Sequence, residues 1–348
     1  MHIFYVDGIF NHHFGLMMYE LRKTAFNYNF VDAYVKLWEW PAAVAANHGK
    51  AVCERGHLHI KSKRFSCTAS EGRSLLPVLA NLVANTRIPI GDHAVAFLAL
   101  AKCMELCDAT ARRHVDPQHL RDCITEHAEH YKRLFGSQWI FKKNHYAFHL
   151  ADQLEILFYL LNCWALERKH KTPKRFANQT QNLTAPFDVS VHREVTALHI
   201  QSLKLEPHHF TERPRLINPH PIYKSMLKHL DLNGIPADAF QMARTMKFNE
   251  YEACTVGDVV FLAAEAGNRF AAGKIHMLIS ISKTSPGDEE VAALIESWEY
   301  RSHTERCTKW NTSNAPLKCV LASQLLHTAI WSQTGSIASV LLPLHMKH

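Results

Sequence analysis

Val256-Gly257-Asp258-Val259-Val260-Phe261-Leu262 sets a Gly-Asp turn directly before an apolar run. A little further on, Lys274-Ile275-His276-Met277-Leu278-Ile279-Ser280-Ile281-Ser282 places Ile275, Met277, Ile279 and Ile281 at every second position. A period of two belongs to a strand whose successive side chains face opposite ways. Residues 294–300, 317–321 and 337–342 repeat the short pattern. The reading from 241 to 348 is therefore about five or six short strands, enough for a small β-barrel.

Upstream, the period lengthens. Between residues 206 and 240, Pro207, Pro214, Pro219, Pro221 and Pro236 punctuate the chain. This is expected to be a Pro-rich linker with one short helix near residues 223–230. Residues 1–205 read as helices. Phe10, Phe14, Met17, Met18 and Leu21 form an amphipathic stripe. Val78, Leu82 and Val83 follow Pro77, which is expected in a first helical turn. A longer helix is expected over residues 92–113, with 94–100 buried. Asp116-Pro117 opens another, stopped near Gly136. The last is expected from His145 to about Arg175, ended or kinked at Pro173. The fold class is α+β, with a mostly helical N-terminal region.

The chain has 348 residues, 47% hydrophobic and 20% charged, so it can bury a sizeable core and is not a disordered composition. Lys and Arg number 39 against 32 Asp and Glu, a net +7 that suits a polyanionic partner without requiring one. The 9 cysteines are odd in number and scattered, which fits reduced thiols in a nuclear or cytoplasmic protein. The apolar stretch 154–166 contains Glu155 and is too short to cross a bilayer, so no membrane association is expected.

One segment carries chemistry. Cys163-Trp164-Ala165-Leu166-Glu167-Arg168-Lys169-His170-Lys171 closes an apolar run on an acid and opens a basic one, continued by Lys174 and Arg175. A carboxylate there could hold a divalent metal. Arg168, Lys169, Lys171, Lys174 and Arg175 would then neutralise a nucleic-acid backbone. The plain alternative pairs Glu167 with Lys171 one helical turn on, within a solvated basic face or a nuclear-localisation patch.

Together with Lys143-Asn144-His145-Tyr146-Ala147-Phe148-His149-Leu150, this segment resembles the end of the RNase H-like catalytic domain of DDE transposases of the CACTA and KDZ-like eukaryotic groups. In that family a His…His-Leu stretch precedes the helix bearing the last catalytic glutamate. Met1-His2 with Gly8 resembles the family's Asp-Met-His pattern and its following glycine. The resemblance covers about residues 1–205. It implies a partial RNase H-like domain with a helical insertion, Glu167 as catalytic and metal-binding residue, and the other two catalytic acids upstream of Met1. Two-metal phosphodiester chemistry needs carboxylates on both sides of the ion pair, and one glutamate cannot supply them. The expectation is a catalytically incomplete protein with residual DNA binding. No cofactor is expected; Mg²⁺ would belong only with the missing acids. Residues 241–348 resemble an SH3-like or BAH-like barrel. The alternative function is thus a non-catalytic module recognising chromatin or a protein partner.

Other constellations are set aside. His145 and His149 stand four apart, but Tyr146 takes the place of the glutamate in a His-Glu-x-x-His zinc site, so packing or capping is expected. Cys103, Cys107, Cys123 and His127 lie in helical sequence without knuckle turns and read as buried structural groups. The tryptophans lack interleaved basic residues, and most of them read as core.

Overall fold

A computed structural model describes residues 3–47, 49–110, 114–158, 160, 193, 196, 214–221, 240–248, 252–263, 270–282 and 289–342. The described residues form helices up to residue 158 and antiparallel sheets from residue 215, an α+β arrangement.

The first helix, α1 (Ile9–Leu21), is enclosed by the others: every residue is buried except His12, Tyr19 and Glu20. Helix α2 (Tyr28–Lys36) is capped by Asn27, and α3 (Gly56–Ser62) follows two 3-10 turns. Helix α4 (Ala69–Asn85) starts at a reciprocal capping box between Thr68 and Glu71. Pro77 therefore sits inside this helix and not in its first turn. Its lost hydrogen bond costs about 3 kcal/mol. The buried face of Leu75, Leu76, Leu79, Leu82 and Val83 offsets that cost.

Helix α5 (Asp92–Ala109) buries Ala96, Phe97, Ala99 and Leu100, while Val95 faces solvent. Helix α6 (Pro117–Phe135) has Asp116 as its cap, Pro117 in its first turn and Gly136 at its stop, as the sequence predicts. Helix α7 (Lys142–Leu157) begins before His145, where Asn144 accepts the Phe141 amide. It ends at Phe158, whose φ of 61° takes the chain out of the helix. An unbroken helix to Arg175 is thus ruled out; Pro173, the expected helix at 223–230 and most of the proline-rich segment lie outside the described residues.

The strands are β1 (Arg215–Ile217), β2 (His220–Pro221), β3 (Phe240–Ala243), β4 (Thr245–Lys247), β5 (Ala253–Thr255), β6 (Val259–Ala263) and β7 (Phe270–Ser282). They continue as β8 (Glu289–Ser297), β9 (Glu299–His303), β10 (Cys307–Asn311), β11 (Leu317–Leu321), β12 (Leu325–Ala329), β13 (Trp331–Thr334) and β14 (Ile337–Leu341). The long strand β7 pairs with β8 along one side and is shared by β6 and β3 along the other. Strand β6 explains the unbroken apolar run that opened the reading. Val260 and Leu262 pack with Met246 and Cys254 on one face, and Val259 and Phe261 pack with Trp310 and Val340 on the other. A sheet covered on both faces is continuously apolar. Among the described residues the strands form three antiparallel sheets, none closed into a barrel, where the sequence suggested one small barrel.

The strand-rich half is joined to the helices through polar contacts, one of them a buried ion pair. Arg306 pairs with Glu105 of α5, both buried. Asp258 Oδ1 accepts the Ala42 amide at 2.8 Å. Glu39 and Trp331 exchange backbone hydrogen bonds of 2.7 and 3.0 Å. Cys307 and Leu341 belong to the helical core.

Candidate nucleic-acid interface

Glu167, Arg168, Lys169, Lys171, Lys174 and Arg175 lie outside the described residues. Met1 and His2 lie outside them as well, while Gly8 and residues 143–150 are described. The segment before α1 and the start of α7 are far apart in sequence and adjacent in space. Lys143 Nζ donates to the Val6 carbonyl, and the Phe141 ring lies 4.5 Å from the His12 ring. Gly8 has a steric reason: a Cβ there would come within 2.2 Å of the Phe4 carbonyl oxygen. That close approach lets Ile3 and Phe4 accept the first amides of α1, those of Ile9 and Phe10, each at 3.0 Å.

A third segment joins them. Residues 64–66 cross α1, where a Cβ on Gly15 would lie 2.4 Å from Arg64 Cα. Asn11 fixes the crossing by donating from Nδ2 to the Phe65 carbonyl at 2.6 Å and accepting the Phe65 amide at 2.9 Å. Arg64 and His12 then both meet Asp7 Oδ1, at 2.5 and 3.1 Å. Asp7 has a φ of 48°, a strained value for a residue with a side chain.

The outcome is a basic surface along the accessible stripe of α1. Arg22 and Lys23 lie at its end, Lys61 and Lys63 at the end of α3, Arg64 on the crossing segment, and Lys142 and Lys143 at the start of α7. Two rings preset the cations: the Arg22 guanidinium lies 3.9 Å from the Tyr19 ring, and Lys63 Nζ lies 4.5 Å from it and 5.7 Å from Trp139. Asp7 and Glu20 are the acids nearby, and Glu20 is engaged with His93 at 3.2 Å. Burial lowers the Lys143 pKa; nearby Asp7 opposes that and Arg64 adds to it. From His12 to Arg22 the stripe runs about 15 Å, the rise of about four nucleotides of one strand. A phosphate backbone would relieve the excess of positive charge.

Each dibasic piece is too brief to stand out in the sequence. Those at Arg22-Lys23 and Lys61–Arg64 lie at the C-terminal ends of helices, where lysine and arginine are common anyway, whereas Lys142 and Lys143 open α7. Trp139 also departs from its reading as core, being half-buried beside Lys63; Trp38, Trp40, Trp298 and Trp310 are buried.

The set-aside groups resolve differently. Cys103 and Cys123 are buried and their thiols are pushed up by burial, while His127 bonds His13. His145 and His149 are neither packed nor capping: both are exposed and meet each other at 3.2 Å. Among the described residues no group of three or more His, Cys, Asp or Glu could hold a metal. Among the described residues no helix is long and apolar enough to cross a membrane. Compared with protein-family models, curated proteins and solved structures, the chain matches none.

Proposed function

We propose that this chain is a transposase-derived protein that binds DNA through its phosphate backbone. The finer fold reading, a partial RNase H-like domain with a helical insertion, belongs to the same proposal. The observation that carries it is the convergence around α1. The segment at residues 3–8, which carries Gly8 of the first motif, touches the start of α7, which carries Lys143 of the second, and basic residues gather around both. A catalytic domain split by an insertion requires its motif-bearing ends to meet in this way. The basic stretch after Glu167 follows α7 in sequence. Of the three acids that two-metal strand cleavage needs, the chain's motifs match one, Glu167.

Duplex oligonucleotide binding by the full chain, titrated with salt, tests this. The log–log slope should be steep. Lys61→Ala with Lys63→Ala, and separately Lys169→Ala, Lys171→Ala and Lys174→Ala, should each flatten it by about 0.9 per lost phosphate contact. Unaltered slopes in both variants, or binding indifferent to salt, would refute the proposal.

A further inference from the structure

We propose that His145 and His149 form a surface chelate for a divalent transition metal of the Zn²⁺ and Cu²⁺ class, with Asp152 holding His149 in the coordinating tautomer. The two imidazoles lie one turn apart on α7, with Nε2 atoms 3.2 Å from each other and rings at 90°. Two nitrogens bound about 2.05 Å from one metal are about 2.9 Å apart at a right angle and about 3.3 Å apart at the tetrahedral angle. The observed separation falls between these values. It is the spacing of a cis pair of ligands.

The tautomers follow from the next contact. Asp152 Oδ2 faces His149 Nδ1 at 3.2 Å, and a carboxylate there accepts the ring N–H. His149 Nε2 then carries a lone pair, and His145 Nε2–H donates to it in the free protein. Asp152 is itself positioned by Arg121 at 2.9 Å through its other oxygen. Arg121 and His149 together hold its carboxyl below the usual range. A metal takes the place of the proton between the two Nε2 atoms, and His145 shifts to the Nδ1–H form with no net change in charge. Imidazole nitrogens select Zn²⁺, Cu²⁺ and Ni²⁺ over the oxygen-seeking Mg²⁺ and Ca²⁺.

Both rings are exposed, and among the described residues no third protein ligand completes the set. The site is therefore exchangeable, with its remaining positions open to water or a partner's ligand. It departs from the expectation that the chain takes no cofactor, and it does not depend on the nucleic-acid reading.

The test uses the full chain and Cu²⁺ held by iminodiacetate, which leaves adjacent coordination positions suited to a pair of imidazoles. A Cys319→Ser background removes an exposed thiol that would reduce copper. Electron paramagnetic resonance should show a two-imidazole complex. His145→Ala with His149→Ala should remove one equivalent of it per chain, and either single change should convert that equivalent to a one-imidazole pattern. Calorimetry with Zn²⁺ should show Asp152→Asn, which keeps both rings, weakening the site by about tenfold. A full two-imidazole signal in the double variant overturns the proposal; unchanged Zn²⁺ affinity in Asp152→Asn overturns the role given to that carboxylate.

Discussion

His13–His127 and His145–His149 are two histidine pairs with almost the same contact, 3.0 and 3.2 Å, in opposite surroundings. The first bridges α1 and α6 among the rings of Phe97, Tyr131 and Phe135. Burial pushes His127 down to about 3 and His13 well below its ordinary value, so both are neutral at pH 7. His13 Nε2 finds no hydrogen-bond partner among the described residues. The second pair stands in water on one helix face beside a carboxylate. The inner pair is a structural strut that resists charge, and the outer pair is open to a ligand. Ion pairs divide likewise. Glu105 with Arg306 has side-chain exposures of 9% and 7%, whereas Asp108 with Arg73 has 22% and 48%.

The ion pairs give the largest expected contrast. Glu105→Ala strands a buried guanidinium at the junction of helices and sheets and should cost about 3–5 kcal/mol. Asp108→Ala should cost less than about 1 kcal/mol in the same urea titration. Equal costs would mean that the halves are not tied together at Arg306. Among the histidines, His13→Ala opens a cavity and leaves His127 Nε2 without its partner, for about 2–4 kcal/mol. His149→Ala should stay within about 0.5 kcal/mol of the wild type. A large loss from the surface change would break the division.

The same division marks what could be read from the sequence. Helices α1, α5 and α6 were legible because an amphipathic stripe, an apolar run and an Asp-Pro…Gly frame are local signals. Strand β6 was legible from the Gly-Asp turn before its apolar run, and β7, β11 and β14 from their short strand patterns. Strand β10 was missed because Cys307-Thr308-Lys309-Trp310 hides its inward Thr308, which is buried and bonded to the Val340 carbonyl at 3.1 Å. The full extent of α4 was missed because Pro77 outweighed the capping box that starts the helix upstream. Closure of the sheet depends on what covers each face, and no strand declares that alone. The basic surface was illegible for a related reason. Lys63 meets Arg22 over the Tyr19 ring, and Arg64 meets Lys143 beside Asp7, only when Gly15 and Asn11 let the 64–66 segment cross α1. His145 and His149 were visible as a spacing, but their exposure and the Asp152 contact were not.

The smallest effect is also the most specific to the inner pair. An unfolded histidine titrates near 6.5, and folded His127 does so at about 3. Between those values the unfolded chain binds a proton that the folded chain refuses. Stability is therefore highest above about pH 6.5 and falls as the pH drops towards 3. The loss at pH 5 should be about 2 kcal/mol for His127, with His13 acting in the same direction. His127→Gln keeps a polar side chain facing His13 but cannot titrate. Whatever that variant costs at pH 7, the difference between its stabilities at pH 7 and pH 5 should be about 2 kcal/mol smaller than in the wild type. Parallel pH curves for the two proteins would show that His127 accepts its proton without unfolding the chain, and the contrast with the surface pair would then lose its physical basis.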